Sequence, residues 1–131
     1  MKFGNSLRAV AAAGLVLTTV GIGAGSASAA EKDGWLTNGE FGLFCYQNQT
    51  NSVLDLYASD SNFADDYFKG TQSCANQSAN DWTESYSNRD TYAWKVHTDW
   101  KGGGYGTSIA AGARGNTNVT FTNSISSAYF F

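Results

Sequence analysis

The segment 92–100 constrains the fold of this chain more than any other stretch, because its residues alternate strictly in character. Successive side chains of a β-strand point to opposite faces of a sheet, so such alternation predicts a half-buried strand. One apolar strand face needs further strands to cover it. The face expected inside carries Tyr92, Trp94, Val96, Thr98 and Trp100, and the outer face carries Ala93, Lys95, His97 and Asp99.

Several other short segments are rich in Val, Thr, Tyr and Phe, the residues that strands prefer. Clusters of Gly, Asn and Asp at 48–51, 101–104 and 112–116 separate them, and no stretch has the period of an amphipathic helix. This pattern predicts an all-β chain folded as an antiparallel sandwich. The further predicted strands are Phe41–Tyr46, 53–58, 107–110, 118–121 and 127–131.

The first thirty residues have the three-part pattern of a secretory signal peptide: a basic start, an apolar middle and a small-residue end. We expect cleavage after Ala29, with Ala30 as the alternative. The expected divisions are a signal peptide at 1–29, a short polar lead-in at 30–38 and one domain at 39–131. The protein is therefore expected to be secreted and extracellular.

The expected mature part holds six basic and eleven acidic residues, a net charge of −5. Phosphate backbones and anionic membrane surfaces attract the opposite charge, so neither nucleic acid nor a membrane is an expected partner. Both cysteines, Cys45 and Cys74, lie in this part. In an oxidising compartment they most simply form one disulfide, although two unpaired thiols are the alternative.

The mature part also contains a weak internal repeat. Each half reads as strand, turn, strand, loop and then a polar box of Ser, Thr and Asn that leads into a last strand. The boxes begin at Ser87 and at Thr122. This order of elements is the one that a Greek key requires.

Four stretches of the sequence carry a resemblance to a known family. They are Gly39-Glu-Phe with 52–55, the segment 61–64, the box 87–94, and 108–112 with the box 122–127. The chain resembles the secreted βγ-crystallin-like proteins of actinobacteria that are grouped with the Streptomyces metalloproteinase inhibitor. The resemblance implies a βγ-crystallin-like sandwich of two Greek-key motifs, and a protein that inhibits an extracellular peptidase through a rigid loop. We expect the protein to be a monomer.

Two loops are candidates for that inhibitory role. The loop 60–73 precedes Cys74 and supplies Asp65, Asp66 and Tyr67. The glycine turn near 101–105 is flanked by Trp100 and Tyr105. A loop held rigid before binding loses little conformational freedom when it docks.

The resemblance also implies paired calcium boxes, in which amides, carboxylates and hydroxyls supply oxygen ligands. Calcium is the one cofactor that we consider, and the alternative function is that of a calcium-stabilised structural or stress-related protein. Ser and Thr in such boxes also cap turns, which is the competing explanation. The candidate ligands are Ser87, Asn88, Asp90 and Thr91 in the first box, and Thr122, Asn123, Ser124 and Ser126 in the second.

Catalytic motifs are weak throughout. His97 is the single histidine, no Gly-x-Ser-x-Gly occurs, and the adjacent carboxylates Asp65 and Asp66 lie in a predicted loop. A Ser-His-Asp site requires a histidine placed between a nucleophile and an orienting acid. We therefore expect a non-enzymatic binding protein with no catalytic residues.

Overall fold

A computed structural model describes residues 31–131 of the 131-residue chain. The predicted signal peptide at 1–29 lies outside the described residues. Within residues 31–131, no helix is long and apolar enough to cross a membrane.

Seven short strands and three single-turn 3₁₀ helices make up the regular structure of residues 31–131. The 3₁₀ turns are Gln47–Gln49, Phe63–Asp65 and Trp100–Gly102. The strands are β1 (Phe41–Tyr46), β2 (Thr50–Leu56), β3 (Ser85–Asn88), β4 (Trp94–His97), β5 (Gly106–Ile109), β6 (Arg114–Asn116) and β7 (Ser127–Phe130).

The strands form two antiparallel sheets. The first sheet has the order β2-β1-β3-β6, and the second has the order β5-β4-β7. Strand β6 follows β5 along the chain but pairs with β3 in the other sheet. Reciprocally, Asp60 from the first half pairs with Ala128 of β7 through two backbone hydrogen bonds of 2.8 and 2.9 Å. Each half thus gives one segment to the other's sheet, as two interlocked Greek keys do.

The core lies between the two sheets. Trp94 of β4 is fully buried and stacks on Phe41 of β1, with ring centroids 4.7 Å apart. Phe130 of β7 contacts the same indole at 5.6 Å. Other buried core side chains are Leu43, Leu54, Leu56, Phe63, Phe68, Val96, Ile109 and Ile125.

Five of the six predicted strands are correct in place, though not always in extent. The alternating segment 92–100 forms a strand only at Trp94–His97, because the backbone turns after Thr98: Asp99 N donates to Gly103 O at 3.2 Å, and Trp100–Gly102 forms a 3₁₀ turn. Trp100 is consequently exposed rather than inside. The predicted strand 118–121 is wrong: the Asn118 side chain accepts hydrogen bonds from the amides of residues 120 and 121 and holds a turn. The sequence analysis did not predict β3 or β6.

The polar lead-in folds back over β2. Lys32 N donates to Asp55 O at 2.8 Å. The amides of Asp33 and Gly34 donate to the two oxygens of the Asp55 carboxylate at 3.0 and 2.8 Å. Residues 32–34 are therefore anchored to the domain by a carboxylate that the fold buries completely.

The expected disulfide joins Cys45 at the end of β1 to Cys74, with the two Cα atoms 6.7 Å apart. Both cysteines are buried. The bond ties the first hairpin to the long segment that follows β2.

Candidate functional site

The turn between β4 and β5, residues 99–105, is the most prominent exposed feature among the inhibitory-loop candidates. Trp100 is 57% exposed and Tyr105 is 73% exposed. The Lys101 ammonium lies 4.6 Å from the centroid of the Trp100 ring, in a cation–π contact. The turn therefore presents two aromatic rings and a cation to solvent.

Hydrogen bonds hold this turn against the rest of the second sheet. The Ser127 hydroxyl of β7 donates to Asp99 O at 2.7 Å and accepts from Gly102 N at 3.1 Å. Lys101 N donates to Ser61 O at 2.7 Å. The turn is thus fixed at three points by residues distant in sequence.

The backbone of the turn is left-handed at its centre. Lys101 has a φ of 53° and Gly102 has a φ of 74°. A Cβ added at Gly104 would overlap Thr98 Oγ1 and the Asp99 carboxylate. Glycine at this position therefore lets the chain pass close to Thr98, whose hydroxyl accepts from Tyr105 N at 2.9 Å.

The backbone of the second candidate loop, 60–73, is more constrained than its polar composition indicates. Its residue Lys69 pairs with Val53 at the edge of β2 through backbone hydrogen bonds of 2.8 and 3.0 Å. Asp65 is exposed and Tyr67 is 45% exposed, whereas Asp66 points inward and is only 5% exposed. Asp66 is therefore a structural residue here and does not present itself to a partner.

Lys32 is the counterion for this inward carboxylate. Its ammonium lies 2.8 Å from Asp66 Oδ1 and 2.9 Å from Asp60 Oδ2. Burial works against the charged ammonium, but its hydrogen bonds to both carboxylates outweigh that effect and raise the pKa of Lys32. Burial and the shared hydrogen bond with Asp60 raise the pKa of Asp66 to about 6, while the pKa of Asp60 is lowered despite its burial, by hydrogen bonds to Asp66, Asn62 and Lys32.

Two further carboxylates are fully buried beneath the lead-in. Burial raises the pKa of Asp55 to about 7, although the Asp33 and Gly34 amides favour its ionised form. Burial raises the pKa of Glu40 to about 6, against the hydrogen bonds from Thr37. Both groups hold a proton more tightly in the folded chain than in the unfolded one.

We expect the free energy of unfolding to fall as pH rises from about 5 to about 8. Acids whose pKa is raised by folding contribute fully to the free energy of unfolding below their unfolded pKa values near 4. This contribution is lost as the pH rises through their folded pKa values of about 6 to 7. A pKa difference of one unit corresponds to about 1.4 kcal/mol. The pKa of Asp55 lies about two units above pH 5, so Asp55 alone accounts for a loss on the order of 3 kcal/mol, and Glu40 and Asp66 add smaller losses. Urea unfolding at pH 5 and pH 8 measures it.

The matched variant for this prediction is Asp55→Asn, which removes the titrating group but keeps its size. Its stability should vary less between pH 5 and pH 8 than that of the parent protein. A parent stability that rises over this range would contradict the assignment.

The first of the two predicted calcium boxes is occupied by hydrogen bonds within the protein. Asn88 Nδ2 donates to the carbonyls of residues 92, 109 and 110, and Asn88 Oδ1 accepts from Asp90 N. The Asp90 carboxylate accepts from Thr91 N and from Trp94 Nε1, the latter at 2.8 Å. Ser87 pairs with Gly42 and Arg114 in the first sheet.

This arrangement does not fit a cation. The pocket beside the first box is lined by Arg89 and Arg114 as well as by Ser87, Asn88 and Asp90. The guanidinium of Arg89 reaches Leu36 O at 2.9 Å and Asn38 Oδ1 at 2.6 Å. The box therefore acts as a set of turn caps that positions Trp94.

The second box is also mostly engaged. The Thr122 hydroxyl donates to Asn118 O at 2.8 Å, and those of Ser124 and Ser126 donate to Thr122 O and Asp81 Oδ1. Asn123 Oδ1 is buried and has no hydrogen-bond partner. Residues 31–131 contain no cluster of three or more His, Cys, Asp or Glu side chains able to hold a metal, so a calcium site stays a prediction from the sequence.

The sequence analysis did not include among its candidate site residues three that shape the candidate site: Lys32, Asp55 and Ser127. Lys32 and Asp55 anchor the lead-in, and Ser127 fixes the aromatic turn. A lone lysine in a polar segment carries no signal of its partners. Asp55, in contrast, stands inside a predicted apolar strand, and a carboxylate there indicates that something must pair with it.

Solved structures of other proteins are similar to this fold, although sequence comparisons find no match. No family model matches the sequence, and no curated protein matches it. A structure from work on the evolution of the eye-lens βγ-crystallin domain fold is similar, with a TM-score of 0.60 and 14% identity over 72% of this chain and 86% of that one.

Two further βγ-crystallins are similar to a comparable degree. The protein from Ciona intestinalis has a TM-score of 0.54 and 16% identity, covering 71% of this chain and 100% of its own. A βγ-crystallin from an archaeon has a TM-score of 0.51 and 15% identity, covering 72% and 100%. Identities this low concern the fold alone. The expectation of a βγ-crystallin-like Greek-key sandwich is thereby confirmed.

Proposed function

We propose that this chain, which has the βγ-crystallin fold, is a secreted, non-enzymatic binding protein that inhibits an extracellular peptidase, with a metallopeptidase as the first candidate. The fold is typical of non-enzymatic proteins. The observation that carries the proposal is the rigid turn 99–105, which exposes Trp100 and Tyr105 together.

Large aromatic side chains on a fixed backbone favour tight binding for two reasons. They bury much apolar area when they enter a cleft, and Trp and Tyr are common among the residues that dominate binding energy. The bonds from Ser127 and Ser61 restrain the turn before any partner arrives, so little ordering remains to be done on docking.

The turn also indicates how inhibition would work. Peptidases bind the backbone at the cleaved bond in an extended form, whereas Lys101 and Gly102 are left-handed. The turn would therefore block the cleft with its side chains and would not offer a cleavable strand. An inhibitor of this kind should survive long incubation with its target uncut.

The test is a titration of the purified protein against thermolysin-like, subtilisin-like and trypsin-like peptidases. We expect one class to be inhibited at micromolar protein or below. Trp100→Ala and Tyr105→Ala should each raise the inhibition constant about tenfold or more, which corresponds to about 1.4 kcal/mol or more.

The matched control is Trp82→Ala, which removes an exposed tryptophan, 55% exposed, from outside the turn. It should inhibit as the parent protein does. Absence of inhibition across the panel at micromolar protein would refute the proposal. Equal inhibition by Trp100→Ala and by the parent protein would show that the turn is not the inhibitory surface.

A further inference from the structure

We propose that the outer face of the second sheet binds a small apolar carboxylic acid. A pocket of about 410 Å³ lies on this face, and its lining includes the core residue Phe130. A volume of this size accommodates a compact organic molecule. The lining residues that matter here are Ser59, Lys95, His97, Ser108, Tyr129 and Phe131.

Strand pairing explains why the surface is concave at this point. On β4, Lys95 lies opposite Ser108 of β5 and Tyr129 of β7, and His97 lies opposite Gly106. A Cβ at Gly106 would come within 2.9 Å of the His97 ring atoms Nδ1 and Cε1. Glycine there lets the imidazole lie close against β5, and the small Ser108 beside it leaves the space open.

The walls of the pocket are largely aromatic. The Tyr129 ring meets the His97 ring edge-on, with centroids 5.8 Å apart. Phe131 is 48% exposed at the same place. Such surfaces favour an apolar or aromatic ligand body, because its burial removes water from both partners.

Two polar side chains of the pocket, His97 and Lys95, keep polar atoms without partners in the described part of the chain, whereas the Ser59 hydroxyl accepts from Phe130 N at 3.1 Å. His97 Nδ1 is buried and has no hydrogen-bond partner. Burial, and secondarily the charge of Lys95, lowers the pKa of His97 and so favours the uncharged ring. The imidazole keeps unused hydrogen-bonding capacity at Nδ1.

Lys95 selects the charge of the ligand. It is exposed, and within residues 31–131 its ammonium makes no hydrogen bond or ion pair, since both salt bridges there use Lys32. Asp60, whose negative charge helps to raise the pKa of Tyr129, is already paired with Lys32. A free cation beside apolar walls fits a ligand that joins an apolar body to a carboxylate.

The experiment compares two probes of equal shape, 1-naphthoate and 1-naphthalenemethanol, by calorimetric titration of the purified protein. We expect saturable one-to-one binding of the acid, with the alcohol at least fivefold weaker. Lys95→Met should abolish this preference. Ser108→Phe, which fills the pocket from an exposed strand position, should abolish binding of both probes.

Lys69→Met is the control, because Lys69 lies at the edge of β2 in the other sheet. It should leave both affinities unchanged. Absence of saturable binding up to millimolar probe would overturn the proposal, as would an unchanged acid preference in Lys95→Met. Sedimentation velocity at the titration concentration adds a further check: a dimer that dissociates in Ser108→Phe would assign the face to self-association and refute the ligand site.

Discussion

Replacing Trp94 with alanine should lower the free energy of unfolding by about 3–5 kcal/mol, the range for deleting a buried aromatic side chain. The indole is fully buried and contacts Phe41 of the first sheet and Phe130 of the second. Its loss therefore opens a cavity at the point where the two sheets meet. Small single domains have a total stability of only about 5–15 kcal/mol, so this variant should lose a large fraction of the protein's stability.

Trp94→Phe separates packing from hydrogen bonding. It keeps an aromatic ring against Phe41 but removes the indole N–H that donates to Asp90 Oδ2 at 2.8 Å. We expect a smaller loss, about 1–3 kcal/mol, because a buried carboxylate oxygen loses a donor. Urea unfolding followed by far-ultraviolet circular dichroism measures both variants.

Trp82→Ala serves as the comparison, since this side chain is largely exposed. It should change stability by no more than about 0.5 kcal/mol. Similar losses at positions 82 and 94 would contradict the packing described for the core.

Removing the disulfide with the double change Cys45→Ala and Cys74→Ala should lower stability by about 3–4 kcal/mol. The bond closes a loop with a sequence separation of 29. Breaking the bond gives the unfolded chain more conformations, so stability falls mainly because the free energy of the unfolded state is lowered. The native state keeps β1 and β2 paired along five register positions.

Reduction of the disulfide in the parent protein measures its contribution to stability independently. Unfolding in the presence of dithiothreitol should give a midpoint close to that of the double variant. A midpoint unaffected by reduction, or a double variant as stable as the parent, would show that this cross-link contributes little.

The buried carboxylates mark a limit of prediction from sequence. Glu40 is an ordinary polar position just before a predicted strand, and Asp55 stands inside an apolar strand with no partner evident in the sequence, yet both are fully buried. Asp55 is covered because the lead-in returns to it and supplies the amides of Asp33 and Gly34. That contact joins residues more than twenty positions apart, and no local pattern records it.

The calcium boxes show a related limit. Their residue types suit calcium, but the same oxygen atoms also suit backbone amides. In the first box Asn88 and Asp90 bind amides, carbonyls and the Trp94 indole, with Arg89 beside them. Only the arrangement of neighbours decides between the two uses, because oxygen ligands and turn caps share the same side chains.

The sequence by itself determined the all-β class and the turns near 48–51 and 101–104, and it favoured the cysteine pairing that the structure shows. These follow from side-chain period, from glycine and asparagine clusters, and from the presence of two cysteines. The tertiary structure decided which sheet each strand joins, where the strand 92–100 ends, and hence that Trp100 faces solvent. Periodicity describes the two faces of one strand, whereas hydrogen-bond partners are chosen by segments distant along the chain.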